Sequence, residues 1–197
     1  NPSLFESLNL EQNIEHNFGD ILDYDSLINV FEKFKPEMVF HLAAQPIVSE
    51  SIKNPIDTYR TNIIGSANVL ECIRNTKSVK TAVMITSDKC YENVEWEYGY
   101  REIDALGGKD PYSASKACTE LMINAYRESF SLKIASARAG NVIGGNDFSK
   151  YRIVPDCISA LNKNKPILIR NRYATRPWQH VLDVINGYLL LNMRFYK

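Results

Sequence analysis

Thr81-Ala82-Val83-Met84-Ile85-Thr86-Ser87-Asp88-Lys89 is the stretch from which the fold can be read. Its first six residues form an apolar, β-branched run, the pattern of a strand buried on both faces. Three polar residues then close it. In an open α/β sheet, ligands gather at the carboxyl ends of the strands. Ser87, Asp88 and Lys89 therefore stand where chemistry is expected. After a turn-rich insertion, Asp110-Pro111-Tyr112 opens a helix that carries Lys116. Tyr112 and Lys116 are one helical turn apart, so phenol and amine share a face.

On either side the same alternation continues. Asn13–Phe18 is weakly strand-like and runs into Gly19-Asp20. Asp25–Phe34 reads as a short amphipathic helix stopped by Pro36, and Glu37–Ala44 as a second buried strand. Pro55–Asn75 has apolar residues recurring at three and four positions, with a proline in its first turn. Beyond the central strand come a helix over Tyr112–Phe130, a strand over Lys133–Ala139 and the run Gly140-Asn141-Val142-Ile143-Gly144-Gly145. A helix over Val154–Leu161, a short strand over Ile167–Ile169 and an apolar helix over Val181–Phe195 follow. Strands alternating with helices argue for a parallel, doubly wound α/β sheet. Residues 1–145 read as one domain. Residues 146–197 read as part of a smaller substrate-binding lobe.

The bulk properties exclude several classes. The 197 residues carry 23 basic and 23 acidic side chains, so no electrostatic pull toward nucleic acid or an anionic membrane is expected. The longest apolar runs are too short to cross a bilayer. The 4 cysteines lack metal-ligand spacing and read as reduced thiols of a cytoplasmic enzyme. No group of His, Cys and acidic residues has the spacing of a metal site.

A tyrosine and a lysine one turn apart can work as an acid–base pair, because the ammonium stabilises the tyrosinate. Alone the signal is weak, since two solvated side chains on a helix have the same spacing. Its position after a strand ending in Ser87-Asp88-Lys89 strengthens it. Asp88 and Lys89 could equally be an ordinary turn pair. His41, inside a buried strand, reads as a satisfied core histidine. Arg176-Pro177-Trp178-Gln179-His180 reads either as loop packing or as an arginine that grips phosphate.

Taken together, these residues resemble the extended short-chain dehydrogenase/reductases that act on nucleotide sugars. The resemblance rests on Gly19-Asp20, His41-Leu42-Ala43-Ala44, Thr61-Asn62-Ile63-Ile64-Gly65, Ser87-Asp88-Lys89, Tyr112-Ser113-Ala114-Ser115-Lys116 and Arg138-Ala139-Gly140-Asn141. Within that family the pattern is nearest the CDP-glucose 4,6-dehydratases. The segments Thr86–Tyr91, Gly140–Gly145 and Arg176–His180 carry that finer likeness. The resemblance implies a Rossmann-like fold, NAD as cofactor, CDP-glucose as substrate and a homodimer formed through the two long helices.

It also implies roles. Tyr112, supported by Lys116, takes the proton of the sugar 4-hydroxyl while Ser87 hydrogen-bonds that oxygen. Lys89 removes the proton at carbon 5. Asp88, which must be protonated at that step, gives its proton to the leaving 6-hydroxyl. Asp20, Ile21, Leu42, Ala43, Ala44, Gln45, Thr61 and Asn62 match cofactor positions, together with Tyr112 and Lys116. Asn141, Arg152, Arg176 and His180 match positions around the nucleotide diphosphate. An epimerase of the same family would not need the acid and base at Asp88-Lys89, and a chain freed from catalysis would not keep all four groups.

One family feature is absent. No glycine triplet has the G-x-x-G-x-x-G spacing that cradles a pyrophosphate at a helix N-terminus. The expected first strand, its turn and its helix are thus missing. The family pattern also runs beyond Lys197. The sequence therefore reads as a fragment lacking both termini, inactive by itself.

Overall fold

The computed structural model describes residues 3–196. In chain order the helices are α1 (Leu4–Ser7), α2 (Tyr24–Phe34), α3 (Val48–Lys53), α4 (Pro55–Tyr59), α5 (Ser66–Asn75), α6 (Pro111–Phe130), α7 (Ile153–Asn162) and α8 (Val181–Tyr196). The strands are β1 (Met38–His41), β2 (Thr81–Ile85), β3 (Ile134–Ala137), β4 (Asn141–Ile143) and β5 (Trp178–His180). The chain divides into two compact units: Gly19–Ala139 with the chain from Asn186 on, and the residues up to Phe18 with Gly140–Ile185.

The first unit is built on a parallel three-stranded sheet, β1-β2-β3. β2 is central and buried along Thr81–Met84, which explains its unbroken apolar sequence. Alternation sends Ala82 and Met84 to one face and Thr81 and Val83 to the other. On the first face they join Val69, Leu70, Cys72, Ile73 and Ile123 from α5 and α6. Leu70, Met84 and Ile134 are completely buried, each worth about 1.5–3 kcal/mol of transfer free energy. On the other face the Thr81 hydroxyl donates to the Asn192 side chain on α8. Helices thus cover both faces, which is the doubly wound arrangement.

Local chemistry fixes where the helices begin and end. Asp110 caps α6: its carboxylate accepts from Ser113 N at 3.0 Å and Ser113 Oγ at 2.7 Å, with Pro111 in the first turn. Asp23 caps α2 in the same way. Lys35 in the left-handed conformation, followed by Pro36, stops α2. At Gly108 an added Cβ would lie 2.3 Å from the Ala114 backbone nitrogen, so only glycine lets the insertion close on the first turn of α6.

The second unit carries the parallel pair β4–β5, with Asn141 opposite Trp178 and Ile143 opposite His180. α7 and the start of α8 complete it.

Four expectations are corrected. Asn13–Phe18 is not a strand: among the described residues no strand runs beside it, and it is exposed throughout. An isolated strand leaves its backbone groups without partners. Ile167–Ile169 is not a strand either. Its side chains face solvent, Leu168 at 82%, and Pro166 removes a backbone donor beside it. The strand expected over Glu37–Ala44 ends at His41, leaving Leu42–Ala44 in the loop beyond it. The helix over Pro55–Asn75 is continuous in direction but widens into a π-helical segment at Arg60–Gly65.

Candidate active site

The site is built at the carboxyl end of β2. Thr86 continues the strand by donating its N–H to Ala137 O at 2.9 Å, and Asp88 N reaches Ala139 O at 3.1 Å. Between them Ser87 caps a single 3₁₀ turn, Asp88–Cys90. Lys89 N donates to Ser87 Oγ at 3.3 Å, and Ser87 Oγ donates to Asp88 Oδ1 at 3.1 Å. The turn therefore aims its two charged side chains. Asp88 is half-buried and Lys89 exposed.

α6 supplies the facing groups. Tyr112 and Lys116 are both buried, at 8% and 5% exposure. The Tyr112 N–H donates to Ser51 Oγ at 3.2 Å, tying the start of α6 to α3. Lys116 Nζ donates to Ile85 O at 3.1 Å, at the last residue of β2. Lys89 Nζ lies 6.0 Å from the centroid of the Tyr112 ring. Of the expected catalytic residues, Lys89 approaches the Tyr112 ring, Asp88 and Ser87 share its turn, and Lys116 anchors to the same strand end. Burial pushes the Lys116 amine down to about 8, with Glu120 pulling it back up.

The loop after β1 is held by Asn62. Its carboxamide accepts from Gln45 N at 2.8 Å and donates to Gln45 O at 3.1 Å and to Ser115 Oγ at 2.9 Å. Asn62 is 1% exposed and sits in the π-helical segment, and its carbonyl accepts from Thr119 Oγ1 at 3.0 Å. Gln45 also donates to Thr58 Oγ1 at 2.8 Å. Leu42 and Ala43 are exposed, Ala44 and Thr61 half-buried. Asp20 is exposed and accepts from Leu22 N at 2.9 Å. The neighbouring Ile21 packs on Gly65, and its carbonyl accepts from Asn68 Nδ2 at 2.9 Å.

His41 is the satisfied core residue that its position implies. Nε2 lies 3.0 Å from Ser66 Oγ, and burial, helped by the Lys116 charge, pushes the imidazole down to about 4. It is neutral at pH 7.

In the second unit, β4 and β5 carry two of the four expected diphosphate residues, Asn141 and His180, and Arg176 lies two residues before β5. Asn141 N donates to Pro177 O at 3.1 Å, and added bulk at Gly140 would meet Pro177 Cγ at 2.6 Å. Arg176 is exposed and donates to its neighbour's carbonyl, Thr175 O, at 2.6 Å. His180 ends β5 and accepts from Leu182 N at 3.3 Å. Arg152 stands at the N-cap of α7, with its Nε buried and without a hydrogen-bond partner among the described residues.

The sequence pattern did not single out Glu120, and Arg138 entered only within the motif Arg138-Ala139-Gly140-Asn141, without a role. The Glu120 carboxylate accepts from the Thr86 hydroxyl, from Ser136 Oγ at 2.8 Å and from Arg138 Nη2 at 2.7 Å. A charged residue closing the apolar strand Lys133–Ala139 was the available signal.

This geometry can be set beside known proteins. The family model for GDP-mannose 4,6 dehydratase matches residues 3–194. The chain belongs to that family. A CDP-glucose 4,6-dehydratase of Salmonella typhimurium (strain LT2) is 48% identical, with 99% of this chain and 57% of that protein covered. The chain therefore spans little more than half the length of that family member. Among solved structures, the UDP-glucose 4-epimerase of Thermus thermophilus in complex with NAD superposes with a TM-score of 0.81 at 28% identity, covering 88% of this chain and 58% of that one. A dTDP-glucose 4,6-dehydratase from Streptomyces venezuelae with NAD bound gives 0.80 at 25%, covering 88% and 52%. The fold is therefore the Rossmann-like one of nucleotide-sugar epimerases and dehydratases.

Proposed function

We propose that the protein to which this chain belongs is an NAD-dependent dehydratase that converts CDP-glucose to the 4-keto-6-deoxy sugar. The observation that carries the reading is the approach of Lys89 to the Tyr112 ring, with Asp88 on the same turn. An epimerase needs the Tyr112–Lys116 pair but has no leaving hydroxyl to protonate. The epimerase among the structural relatives keeps that second reading open, and Asp88-Lys89 argues against it.

The residues present suit the cofactor. The ends of β1 and β2 open beside the exposed Leu42 and Ala43, and the exposed Asp20 carboxylate offers an acceptor for adenosine. Leu42–Gln45, Thr61, Asn62, Asp20, Ile21, Tyr112 and Lys116 would hold NAD, with Asn62 setting the Gln45 loop against α6. When bound, NAD would supply the hydride acceptor for carbon 4 and, once reduced, the hydride donor for carbon 6. Tyr112 takes the proton of the 4-hydroxyl, and the Lys116 ammonium stabilises the resulting phenolate. Ser87 hydrogen-bonds the same oxygen. The ketone formed at carbon 4 acidifies the hydrogen at carbon 5; Lys89 removes it as a proton and returns it to carbon 5 when the hydride reaches carbon 6. Asp88 gives a proton to the 6-hydroxyl, which departs as water. Arg176, with Asn141, Arg152 and His180, would bind the diphosphate and nucleotide, the guanidinium offering paired donors to phosphate oxygens.

Two further parts of the reading are proposals. The exposed apolar side chains of the long helices, Ile56 at 66%, Ile64 at 53% and Leu121 at 61%, support a homodimer through these helices. The four free thiols suit a reducing, cytoplasmic setting, and no helix among the described residues is long and apolar enough to cross a membrane.

The test supplies the full-length protein with NAD and CDP-glucose or dTDP-glucose, and follows the 4-keto product by its absorbance in alkali. Product from CDP-glucose is expected, and none from either sugar overturns the reading. Lys89→Ala should still reduce NAD in a single turnover yet release no water. Normal elimination by that variant removes Lys89 from its role.

A further inference from the structure

Behind the catalytic groups lies a buried charge cluster that the proposed chemistry does not use. Glu120 follows Lys116 by one turn of α6 and is 5% exposed. Its carboxylate takes three hydrogen bonds, one each from Thr86 at the end of β2, Ser136 on β3 and Arg138 just beyond β3. Arg138 then reaches the insertion, donating to Tyr91 Oη at 3.0 Å and Glu102 O at 3.2 Å. Tyr91 in turn stacks on Tyr100 with centroids 5.2 Å apart. Thr86 directly precedes Ser87-Asp88-Lys89, and Lys116 binds the residue before Thr86. The cluster therefore clasps the strand end, the catalytic helix and the insertion at one point.

We propose that Glu120 is a positioning residue: held as a carboxylate by Arg138, Thr86 and Ser136, it supports the Lys116 ammonium one helical turn away and holds the Ser87–Lys89 turn against α6. This rests on the assignment of Tyr112 and Lys116 as the acid–base pair.

The electrostatics are consistent with it. A buried ammonium is disfavoured by desolvation, and Lys116 is pushed down to about 8 for that reason, with Glu120 as the opposing influence. The other groups around Lys116 do not supply that help. His41, facing it from β1, is neutral, and Lys89 across the Tyr112 ring is itself a cation. Tyr112 shares the helix, and Cys90, on the turn, is a thiol pushed up to about 12 by burial and the Glu120 charge. Burial pushes the Glu120 carboxyl up as well, but the bonds from Arg138, Thr86 and Ser136 outweigh it and hold it below the usual range. A charged carboxylate one turn from the lysine thus persists across neutral pH.

The test labels lysine Cε with carbon-13 in the full-length protein and follows the Lys116 resonance, assigned by Lys116→Arg, against pH. Glu120→Gln keeps the size of the side chain and removes its charge, so the Lys116 midpoint should fall by about one pH unit. Arg138→Gln leaves the carboxylate in place, so the midpoint should not fall. A midpoint that is unmoved in Glu120→Gln, or that falls equally in both variants, overturns the proposal, because packing damage alone would treat them alike. Where Glu120→Gln does not fold, the charge-free pair Glu120→Gln/Arg138→Gln carries the test: its midpoint should fall, and an unchanged one overturns the proposal. The readout needs neither cofactor nor sugar. A normal shift with no product from CDP-glucose would refute the substrate reading and leave this one standing.

Discussion

Around Tyr112 the polar groups are tied to one another inside the fold. Asn62, Ser115, Lys116 and Glu120 are each exposed by 5% or less, and their side-chain bonds join the loop after β1, the end of β2, β3 and α6. Around Arg176 the situation is reversed. Arg176 and His180 are exposed, and the bonds their side chains make reach backbone one or two residues away. Side chains placed by a packed core are pre-organised, and their geometry does not wait for a ligand. An exposed guanidinium takes its final geometry from the anion it meets. Substitutions in the first region should therefore cost rate, and those in the second affinity.

The sharpest way to break this contrast is Tyr112→Phe. It removes one oxygen from a helix whose capping bonds, Asp110 to Ser113 and Ser51 to the Tyr112 N–H, remain. The expected loss is about 10²–10⁴-fold in kcat with KM little changed, measured by formation of the 4-keto sugar. A selective rise in KM would mean that the phenol binds rather than reacts. Arg176→Ala should do the opposite: KM for the nucleotide sugar rises about 10–100-fold, as for loss of a charge-assisted hydrogen bond, with kcat nearly unchanged. If kcat falls instead, Arg176 belongs with the pre-organised set.

The same contrast governs what was legible in the sequence. The core announced itself through pattern. The unbroken run Thr81–Ile85, the Asp110-Pro111 helix start and the 20 residues of α6 all appear where periodicity and capping put them. His41 also reads correctly as a core residue, because a histidine in an apolar strand needs only one partner, here Ser66. Short pairings were not legible. β5 is three residues long, Trp178-Gln179-His180, with no alternation to mark it. Asn13–Phe18 carries a faint strand pattern, yet a strand is made by its neighbour, and no described residue provides one. The π-helical turn at Arg60–Gly65 leaves the apolar spacing of its helix intact, so periodicity cannot register it. Glu120 was overlooked for a different reason. On a helix a lone glutamate reads as solvated, and only the fold reveals that Arg138 comes to meet it.

The smallest expected effect probes the core half of the contrast through pH. The His41 imidazole is pushed down to about 4 in the native state, from an ordinary value of 6.5, first by burial and then by the Lys116 charge. Below pH 6.5 the unfolded chain takes up a proton that the native site refuses, so unfolding is favoured as pH falls and stability is lost down to about pH 4. Between pH 6.5 and 5.5 this one group should remove about 1 kcal/mol. The window lies above the ordinary carboxylate range, so acidic side chains contribute little within it. His41→Gln keeps a partner for Ser66 and cannot titrate. Urea unfolding of the Gly19–Ala139 unit, followed by Trp96 fluorescence in a Trp178→Phe background, should show the native loss at both pH values and a flatter response in the variant. An identical slope in the two proteins would mean that the imidazole titrates normally in the native state. The buried network beside Lys116 would then be open to water, and the contrast with the Arg176 region would disappear.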